Sequence, residues 1–213
     1  MNDKSTYHHG DLRSALLDAA ESILEQHGLH GFTLRKCAKA AGVSHAAPQH
    51  HFGNVTGLLT AIAARGFARL LTTLRRHLRD AGTDLSKQFV ATSDAYTEFA
   101  ESHQEHFRIM FRCDLLDMGN EELNAAATNT FLELTNVIRR QRGEADLQAL
   151  SEIPSTDTAL LLSDILIGWC FVHGYAHLRI EQQLAPILQT QQQAVRTTTA
   201  TRLSMLMQKS ESH

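Results

Sequence analysis

Apolar residues recur at helical spacing along most of the chain, and no segment shows the two-residue alternation typical of a β-strand. Only 12 Gly and 3 Pro occur among 213 residues, so residues that form turns are scarce. Hydrophobic residues make up 43% and charged residues 20% of the chain, which argues against intrinsic disorder. The sequence therefore predicts an all-α protein, with one large domain or two small ones.

The cysteines and the first residues bear on the compartment. The three cysteines are an odd number without CxxC spacing, so neither a disulfide framework nor a zinc knuckle is indicated. The polar first residues lack the apolar region of a secretory signal, and we expect a cytoplasmic protein. Ala159 to Leu178 has the length of a membrane span but contains Asp164, His173 and His177, which favours a core or interface helix.

Charge is distributed unevenly between the two parts of the chain. Residues 1 to 80 contain 10 Lys and Arg against 6 Asp and Glu, whereas residues 81 to 213 contain 10 against 17. This asymmetry indicates that the two parts face different partners.

Caps and breaks divide the basic part into four helices. The first follows Asp11 and stops near His27 and Gly28, and the last runs from Val55 to about Leu78. Between them lie two short helices. Thr33 is the predicted N-cap of the second helix and Gly42 its stop. Ser44 is the predicted N-cap of the third helix, and Pro48 lies in its first turn. Asn54 is the predicted cap of the fourth helix.

The acidic part reads as further amphipathic helices, which brings the total to about nine. Pro186 suits the first turn of the last one. The predicted spans are about 85–103, 104–114, 121–141, 156–181 and 187–208.

Residues 33–52, TLRKCAKAAGVSHAAPQHHF, fit a helix-turn-helix, because two short helices are joined by a short turn that contains glycine. Small side chains such as Ala46 and Ala47 allow a close approach to the major groove, and Gln49 suits an adenine edge. A capped helical hairpin inside an ordinary bundle is the alternative that the pattern alone leaves open.

Residues 7–67 resemble the N-terminal domain of the TetR family of transcriptional repressors in the order of FTLR, AxxAGVS, HF and a capped LL helix. YHHGDLR near the start, together with Trp169, His173 and Gly174, resembles a TetR branch with a C-terminal Trp-x-x-x-His-Gly motif. The resemblance implies a three-helix DNA-binding domain (7–67) and a long helix that leads to a helical effector-binding and dimerisation domain (82–208).

The resemblance also implies which positions face DNA, with Phe52 as an anchor to the core. They are Thr33, Arg35, Ser44, His45, Ala46, Ala47, Gln49, His50 and His51. Relatives commonly carry Tyr at the position of Gln49 and Lys at that of Val55, so part of the usual phosphate clamp is missing here. We expect backbone N–H groups near Asn54 and Thr56 to bind a phosphate instead.

The resemblance also implies a homodimer and a small-molecule effector. Because Met and aromatic side chains suit apolar ligands, we expect the effector to be apolar or amphipathic. The predicted ligand-binding residues are Phe89, Tyr96, Phe99, Phe107, Met110, Phe111 and Trp169. The last two helices are expected to pair between protomers. The predicted interface residues are Leu161, Ile165, Gly168, Trp169 and Val172.

Other chemistry is disfavoured. His103 with His106 and His173 with His177 share helix faces, but no carboxylate or thiolate completes either pair, so we predict no metal. No catalytic constellation stands out, and an enzyme is not expected. The sequence predicts a repressor released from a palindromic operator by a small molecule. An activator, an effector-independent regulator, or a helical ligand- or metal-binding protein that has lost DNA binding are the alternatives.

Overall fold

The computed structural model describes residues 9–153 and 158–209, and all regular secondary structure in these ranges is helical. The predicted all-α class is confirmed. In chain order the helices are α1 (His9–His27), α2 (Leu34–Ala40), α3 (Ala47–Phe52), α4 (Val55–Ala81), α5 (Leu85–Ser102), α6 (Gln104–Met110), α7 (Glu121–Gln141), α8 (Thr158–Ile180), α9 (Ala185–Leu188) and α10 (Gln192–Lys209).

The chain forms two compact units, and the division differs from the predicted boundaries. The first comprises the described residues up to Gly66 together with Glu105–Asn124. The second comprises Phe67–Gln104 together with the described residues from Ala125 onward. The C-terminal domain implied by the resemblance (82–208) included α6 and the turns after it, whereas these residues belong to the first unit.

An apolar core holds α1, α2 and the first half of α4 together in the first unit. Leu16 and Ala20 of α1, Cys37 of α2, and Leu58 and Ile62 of α4 are fully buried. Burial of this kind stabilises a small unit by roughly 1.5–3 kcal/mol for each large side chain. Burial also raises the pKa of the Cys37 thiol to about 11, so it remains protonated and inert.

A buried polar cluster attaches α6 to this core. Glu21 of α1 lies 3.2 Å from Nη1 of Arg65 and 3.1 Å from Nε2 of His106, and both Glu21 and His106 are buried. Met110 packs so closely on Gly66 that a Cβ there would lie 2.6 Å from its sulfur. The absence of a side chain at Gly66 therefore lets α6 pack directly on α4.

The helix-turn-helix geometry follows from one cap and one glycine. The Thr33 side chain accepts a hydrogen bond from the Lys36 N–H, which confirms the predicted N-cap of α2. Gly42 has a φ of 68°, and the adjacent Val43 N–H bonds back to the Ala38 carbonyl, which ends the helix.

The start of α3 differs from the prediction. Its N-cap is Ala46 rather than Ser44, and no side chain caps it. Ser44 instead offers its carbonyl to the Ala47 N–H, which closes a turn before the helix begins. Pro48 lies in the first turn as expected and is buried.

The core of the second unit lies among the end of α4 and helices α5, α7, α8 and α10. Its members are Leu78, Phe89, Val137, Ile138, Leu161, Ile165, Ala200 and Met207. A buried ion pair, Arg142 Nη1 to Asp164 Oδ2 at 2.9 Å, connects the end of α7 to α8. Asp164, which counted against a membrane span, is therefore part of the packing of α8.

The predicted last helix is divided into α9 and α10 by a 3₁₀ turn at Gln189–Gln191, and Pro186 lies in the first turn of α9. Among the described residues, two helices, Val55–Ala81 and Ala159–Ile180, are long and apolar enough to cross a membrane by length and composition. Half of the most apolar window of the first is buried, as in a core helix.

Candidate nucleic-acid interface

Most of the predicted DNA-facing residues are exposed in the first unit, on α2, on the turn after it and on α3. Only Ala47 and His51 are half-buried. The exposed members are Thr33, Arg35, Ser44, His45, Ala46, Gln49, His50, Asn54 and Thr56. These positions offer amide, hydroxyl, imidazole and guanidinium groups, which suit phosphates and base edges.

Two of these residues already bond within the chain. The Thr33 hydroxyl oxygen accepts from the Lys36 N–H at 3.2 Å, which leaves its O–H available as a donor. Asn54 Oδ1 accepts from the Gly57 N–H at 2.9 Å, which confirms the predicted cap of α4. One N–H at the start of α4 is therefore used by this cap and is not available to a phosphate.

The position of α3 depends on contacts behind its exposed face. Pro48 is buried, whereas Phe52, the predicted anchor, is only half-buried and lies under the Arg13 guanidinium at 5.4 Å from its ring centroid. A Cβ at Gly57 would lie 2.0 Å from the Phe52 carbonyl oxygen. Sequence reasoning missed this close approach, because nothing in the local pattern distinguishes Gly57 from other glycines.

The surface formed by α2 and α3 is more positively charged than a count of the charged residues in the whole predicted DNA-binding domain indicates. No Asp or Glu occurs from residue 26 to residue 79. The acidic side chains Asp18 and Glu21 lie on α1, where both are in ionic contact with Arg65. Arg35, Lys36 and Lys39 on α2 are exposed, so α2 and α3 form a surface without carboxylates.

Two family comparisons match this arrangement. Residues 16–62 match the family described as "Bacterial regulatory proteins, tetR family", and residues 89–201 match "Tetracyclin repressor-like, C-terminal domain". The second match alone covers more than half of the chain.

The chain belongs to the TetR family.

Similar proteins agree with this assignment. An uncharacterized HTH-type transcriptional regulator in the dhlA 5' region of Xanthobacter autotrophicus is 28% identical over 162 residues, or 76% of each chain. The HTH-type transcriptional repressor AcnR of Corynebacterium efficiens is 36% identical over 62 residues, which cover 29% of this chain and 33% of AcnR.

Solved structures share the fold. A protein of unknown function from Rhodococcus sp. RHA1 has a TM-score of 0.75 at 28% identity, over 95% of this chain and 98% of that one. The TetR-family regulator PfmR of Thermus thermophilus has a TM-score of 0.60 at 17% identity, over 89% and 97%. This TetR-family chain is thus a DNA-binding transcriptional regulator, with α2 and α3 as its helix-turn-helix.

The predicted effector residues of this TetR-family chain are not all brought together. Phe107, Met110 and Phe111 belong to the first unit, whereas the other four belong to the second. An apolar cavity in the second unit includes only Phe89 and Trp169 of the predicted set and has a volume of about 30 Å³. Its remaining lining consists of Thr92, Phe131, Leu134, Val137, Ile138, Ile165, Gly168 and Val172.

Tyr96, which is buried, and His173, which is half-buried, bond to each other in the second unit. The Tyr96 hydroxyl is 2.9 Å from His173 Nδ1, and Tyr96 is almost fully buried. Burial raises the pKa of Tyr96. Burial, and secondarily the nearby His177, lowers the pKa of His173 to about 4, so its imidazole is neutral at pH 7. His173 therefore acts as a neutral hydrogen-bonding residue here.

No group of three or more metal-ligating side chains occurs among the described residues. His106 bonds to Glu21 in the first unit, and His173 stacks edge-on with His177 at 4.7 Å.

Four of the five predicted interface residues face the interior of their own chain. Leu161, Ile165 and Val172 are buried, and a Cβ at Gly168 would lie 3.3 Å from Ile138. Only Trp169 is exposed, by 37%. The prediction selected the inner face because α8 is apolar around its whole circumference, so periodicity could not separate the side packed on the chain from the outer side.

The outer side of α8 keeps large apolar residues in solvent. They are Leu160, Leu162, Leu166, Ile167, Trp169 and Leu178. Leu162, Leu166 and Trp169 follow the spacing i, i+4, i+7 and share one stripe. Such a contiguous apolar face is typical of a protein interface.

Proposed function

We propose that this regulator is a repressor that binds a palindromic operator as a homodimer and leaves it when a small molecule binds in the second unit. The family assignment and the name of AcnR, a transcriptional repressor 36% identical over the DNA-binding region, support repression. The protein acts in the cytoplasm and has no catalytic activity of its own.

The observation that carries the proposal is the surface of α2 and α3. Gln49, His50 and His45 are exposed around α3, and Pro48 is buried behind it. With no acidic residue between positions 26 and 79, nothing on this surface repels a phosphate backbone. Phosphate contacts from α2 set the register, and α3 reads the base edges.

The homodimer forms through the outer side of α8 and the exposed apolar residues of α10. Leu166, Ile167 and Met205 are about half exposed, and Leu206 is 64% exposed. In a twofold dimer this face of one protomer packs on the same face of its partner, which removes both from water. Symmetric dimers are the commonest oligomers of soluble proteins. A twofold dimer requires inverted half-sites in its DNA.

The effector enters the apolar cavity lined by Phe89, Phe131 and Trp169. Because about 30 Å³ holds no more than a water, the ligand must separate these side chains as it binds. To shift the protein from 1:99 to 99:1 in favour of the conformation that does not bind DNA, the ligand must bind that conformation more tightly than the DNA-binding one by roughly 5.5 kcal/mol. Rearrangement of α5, α7 and α8 around an apolar ligand supplies this preference.

The deciding experiment is selection of bound sequences from a random DNA library with the full chain. We expect an inverted repeat whose half-sites are centred about 10 bp apart, or a multiple of that spacing. Failure to enrich any sequence would favour the alternative of a helical ligand-binding protein that has lost DNA binding. That alternative is supported by Gln49 and Val55, which replace the Tyr and Lys usual in relatives.

The effector is tested by linkage. Apolar compounds that raise the melting temperature of the free protein are titrated against it with and without the selected operator. A true inducer binds more weakly in the presence of operator, by the same factor by which it weakens operator binding. A ligand with equal affinity in both cases is not the effector. A reporter gene under the operator distinguishes a repressor from an activator.

A further inference from the structure

The second unit also contains a polar cleft, separate from the apolar cavity. It has a volume of about 630 Å³, within the range of sites for small molecules. Side chains from α4, α5, α8 and α10 line it. The six that matter here are Asp94, Glu98, Glu101, Tyr175, Arg179 and Arg196.

The two walls of the cleft carry opposite charge. Asp94, Glu98 and Glu101 follow the spacing i, i+4, i+7 and therefore share one face of α5. Arg179 of α8 and Arg196 of α10 stand opposite. Glu101 accepts hydrogen bonds from the Arg179 guanidinium, with Nε at 2.7 Å.

Glu98 is held on the α4 side instead. It accepts from the Arg76 guanidinium and lies 2.8 Å from Nε2 of His77.

Arg196 is the unusual member of the cleft, because it is 8% exposed and yet incompletely bonded. Its Nη2 donates a hydrogen bond to Gln193 Oε1 at 2.5 Å and also contacts Asp94 Oδ1 at 2.6 Å, the second without the geometry of a hydrogen bond. Its Nε–H has no hydrogen-bond partner among the described residues, and neither does the buried Oε1 of Gln192 beside it. A buried donor and a buried acceptor left without partners are costly, and a ligand that bonds both removes that cost.

Aromatic surface is also present. The Arg196 guanidinium lies 5.8 Å from the ring centroid of Tyr175, whose hydroxyl donates to the Gln192 carbonyl. This bond keeps the ring in place at the edge of the cleft, where it can contact a cation as well.

We propose that this cleft binds a small zwitterion that carries one ammonium and one carboxylate group. The carboxylate bonds to Nε of Arg196 and to the Arg179 guanidinium, and the ammonium bonds to the carboxylates of α5 and to Oε1 of Gln192. Because Nε of Arg196 and Oε1 of Gln192 are enclosed by their neighbours, the ligand must shift these side chains as it enters. Where the zwitterion displaces an ion pair between the acidic and the basic wall, it forms new ion pairs of its own with the same side chains. A ligand with only a negative charge would be repelled by the three carboxylates, and a ligand with only a positive charge would be repelled by the two guanidinium groups. An apolar molecule would remove water from both charged walls without forming any hydrogen bond or ion pair in exchange.

The test is isothermal titration of the full chain, without DNA, so its outcome does not depend on the proposed repressor function. The probes are the twenty proteinogenic L-amino acids and the ω-amino acids from β-alanine to 6-aminohexanoate. We expect at least one probe to bind. Its N-acetyl derivative, which lacks the ammonium, and its methyl ester, which lacks the carboxylate, should each bind at least about tenfold more weakly.

Variants locate the site. Arg196→Gln and Arg179→Gln should each weaken the bound probe at least about tenfold, whereas Arg112→Gln, which breaks an exposed pair with Asp114 in the first unit, should not. If Arg196→Gln does not fold, Arg179→Gln and Glu101→Gln, whose parent side chains are partly exposed, decide the question. Absence of binding by every probe at about 10 mM, or unchanged affinity in the cleft variants, overturns the proposal.

Discussion

We expect two positions, one in the first turn of α3 and one at the start of α4, to influence the strength of DNA binding. Gln49 is exposed on α3, and Val55 is 38% exposed at the first residue of α4. Replacing Gln49 with Ala should cost roughly 1–3 kcal/mol of operator affinity through a lost base contact. Replacing Val55 with Lys should strengthen binding to all sequences, because it adds a phosphate contact without sequence preference.

Fluorescence anisotropy with specific and scrambled DNA separates these effects. If Val55→Lys leaves both affinities unchanged, the start of α4 does not approach the backbone. If Gln49→Ala weakens both DNAs equally, Gln49 contacts phosphate rather than a base.

Gly57 is required by a close backbone approach rather than by its own conformation. Gly57→Ala should cost roughly 1–3 kcal/mol, because its Cβ would meet the Phe52 carbonyl oxygen at 2.0 Å and that oxygen cannot move without moving α3. The matched control is Gly174→Ala in α8, where nothing in the same chain lies within 4 Å; in a monomeric background such as Ile167→Arg, a gain of about 0.5–1 kcal/mol is expected. Urea denaturation measures both. Equal effects of the two substitutions would contradict the close approach.

His173 makes stability depend on pH in a defined window. Its pKa is about 4 in the folded chain against an ordinary value of 6.5, so the unfolded chain takes up the proton first as the pH falls. The contribution of neutral His173 is therefore complete above pH 6.5 and is lost progressively between pH 6.5 and 4.

The carboxylates of Asp and Glu residues titrate in the same pH range. The contribution of His173 must therefore be measured by comparing the pH dependence of the melting temperature between the wild type and a variant. His173→Asn should make the fall in melting temperature over that window shallower. The same change at the exposed His45 should not. Parallel curves for the wild type and His173→Asn would show that protonation of His173 does not oppose folding.

At the scale of elements, α8 separates inward-facing from outward-facing residues, and this distinction decides how dimerisation is tested. Ile167→Arg should give monomers by sedimentation, since Ile167 is 46% exposed on the outer side. Met118→Arg, at a 52% exposed position in the first unit, is the control and should leave the dimer intact. Gly168→Arg would instead disturb the core against Ile138. A dimeric Ile167→Arg variant would exclude this face.

The helix-turn-helix was predictable because its signals are local. Thr33 caps α2 and Gly42 ends it, and both can be recognised from neighbouring residues. The attachment of α6 to α1 was not, because it depends on Glu21 and His106, which are 85 positions apart in the sequence. The polar cleft was missed for the same reason, since its acidic and basic residues come from different helices and each resembles an ordinary solvated charge.

For the whole molecule, the salt dependence of operator binding follows from the charge of α2. Each protomer exposes Arg35, Lys36 and Lys39 there, although Lys36 Nζ already donates to the Gly31 carbonyl at 2.8 Å. A dimer therefore has about four to six cations for phosphates, and each contributes about −0.9 to the slope of log K against log salt concentration. We expect a slope between about −3.6 and −5.4 for the wild-type dimer.

Val55→Lys provides the internal check, because a twofold dimer acquires two new cations at once and the slope should steepen by about 2. Titrations of the operator at four salt concentrations measure it. A slope near −2 would mean that most of these side chains do not reach the backbone. A steepening of only about 1 would mean that one protomer alone engages the DNA, and the palindromic mode of binding would then have to be abandoned.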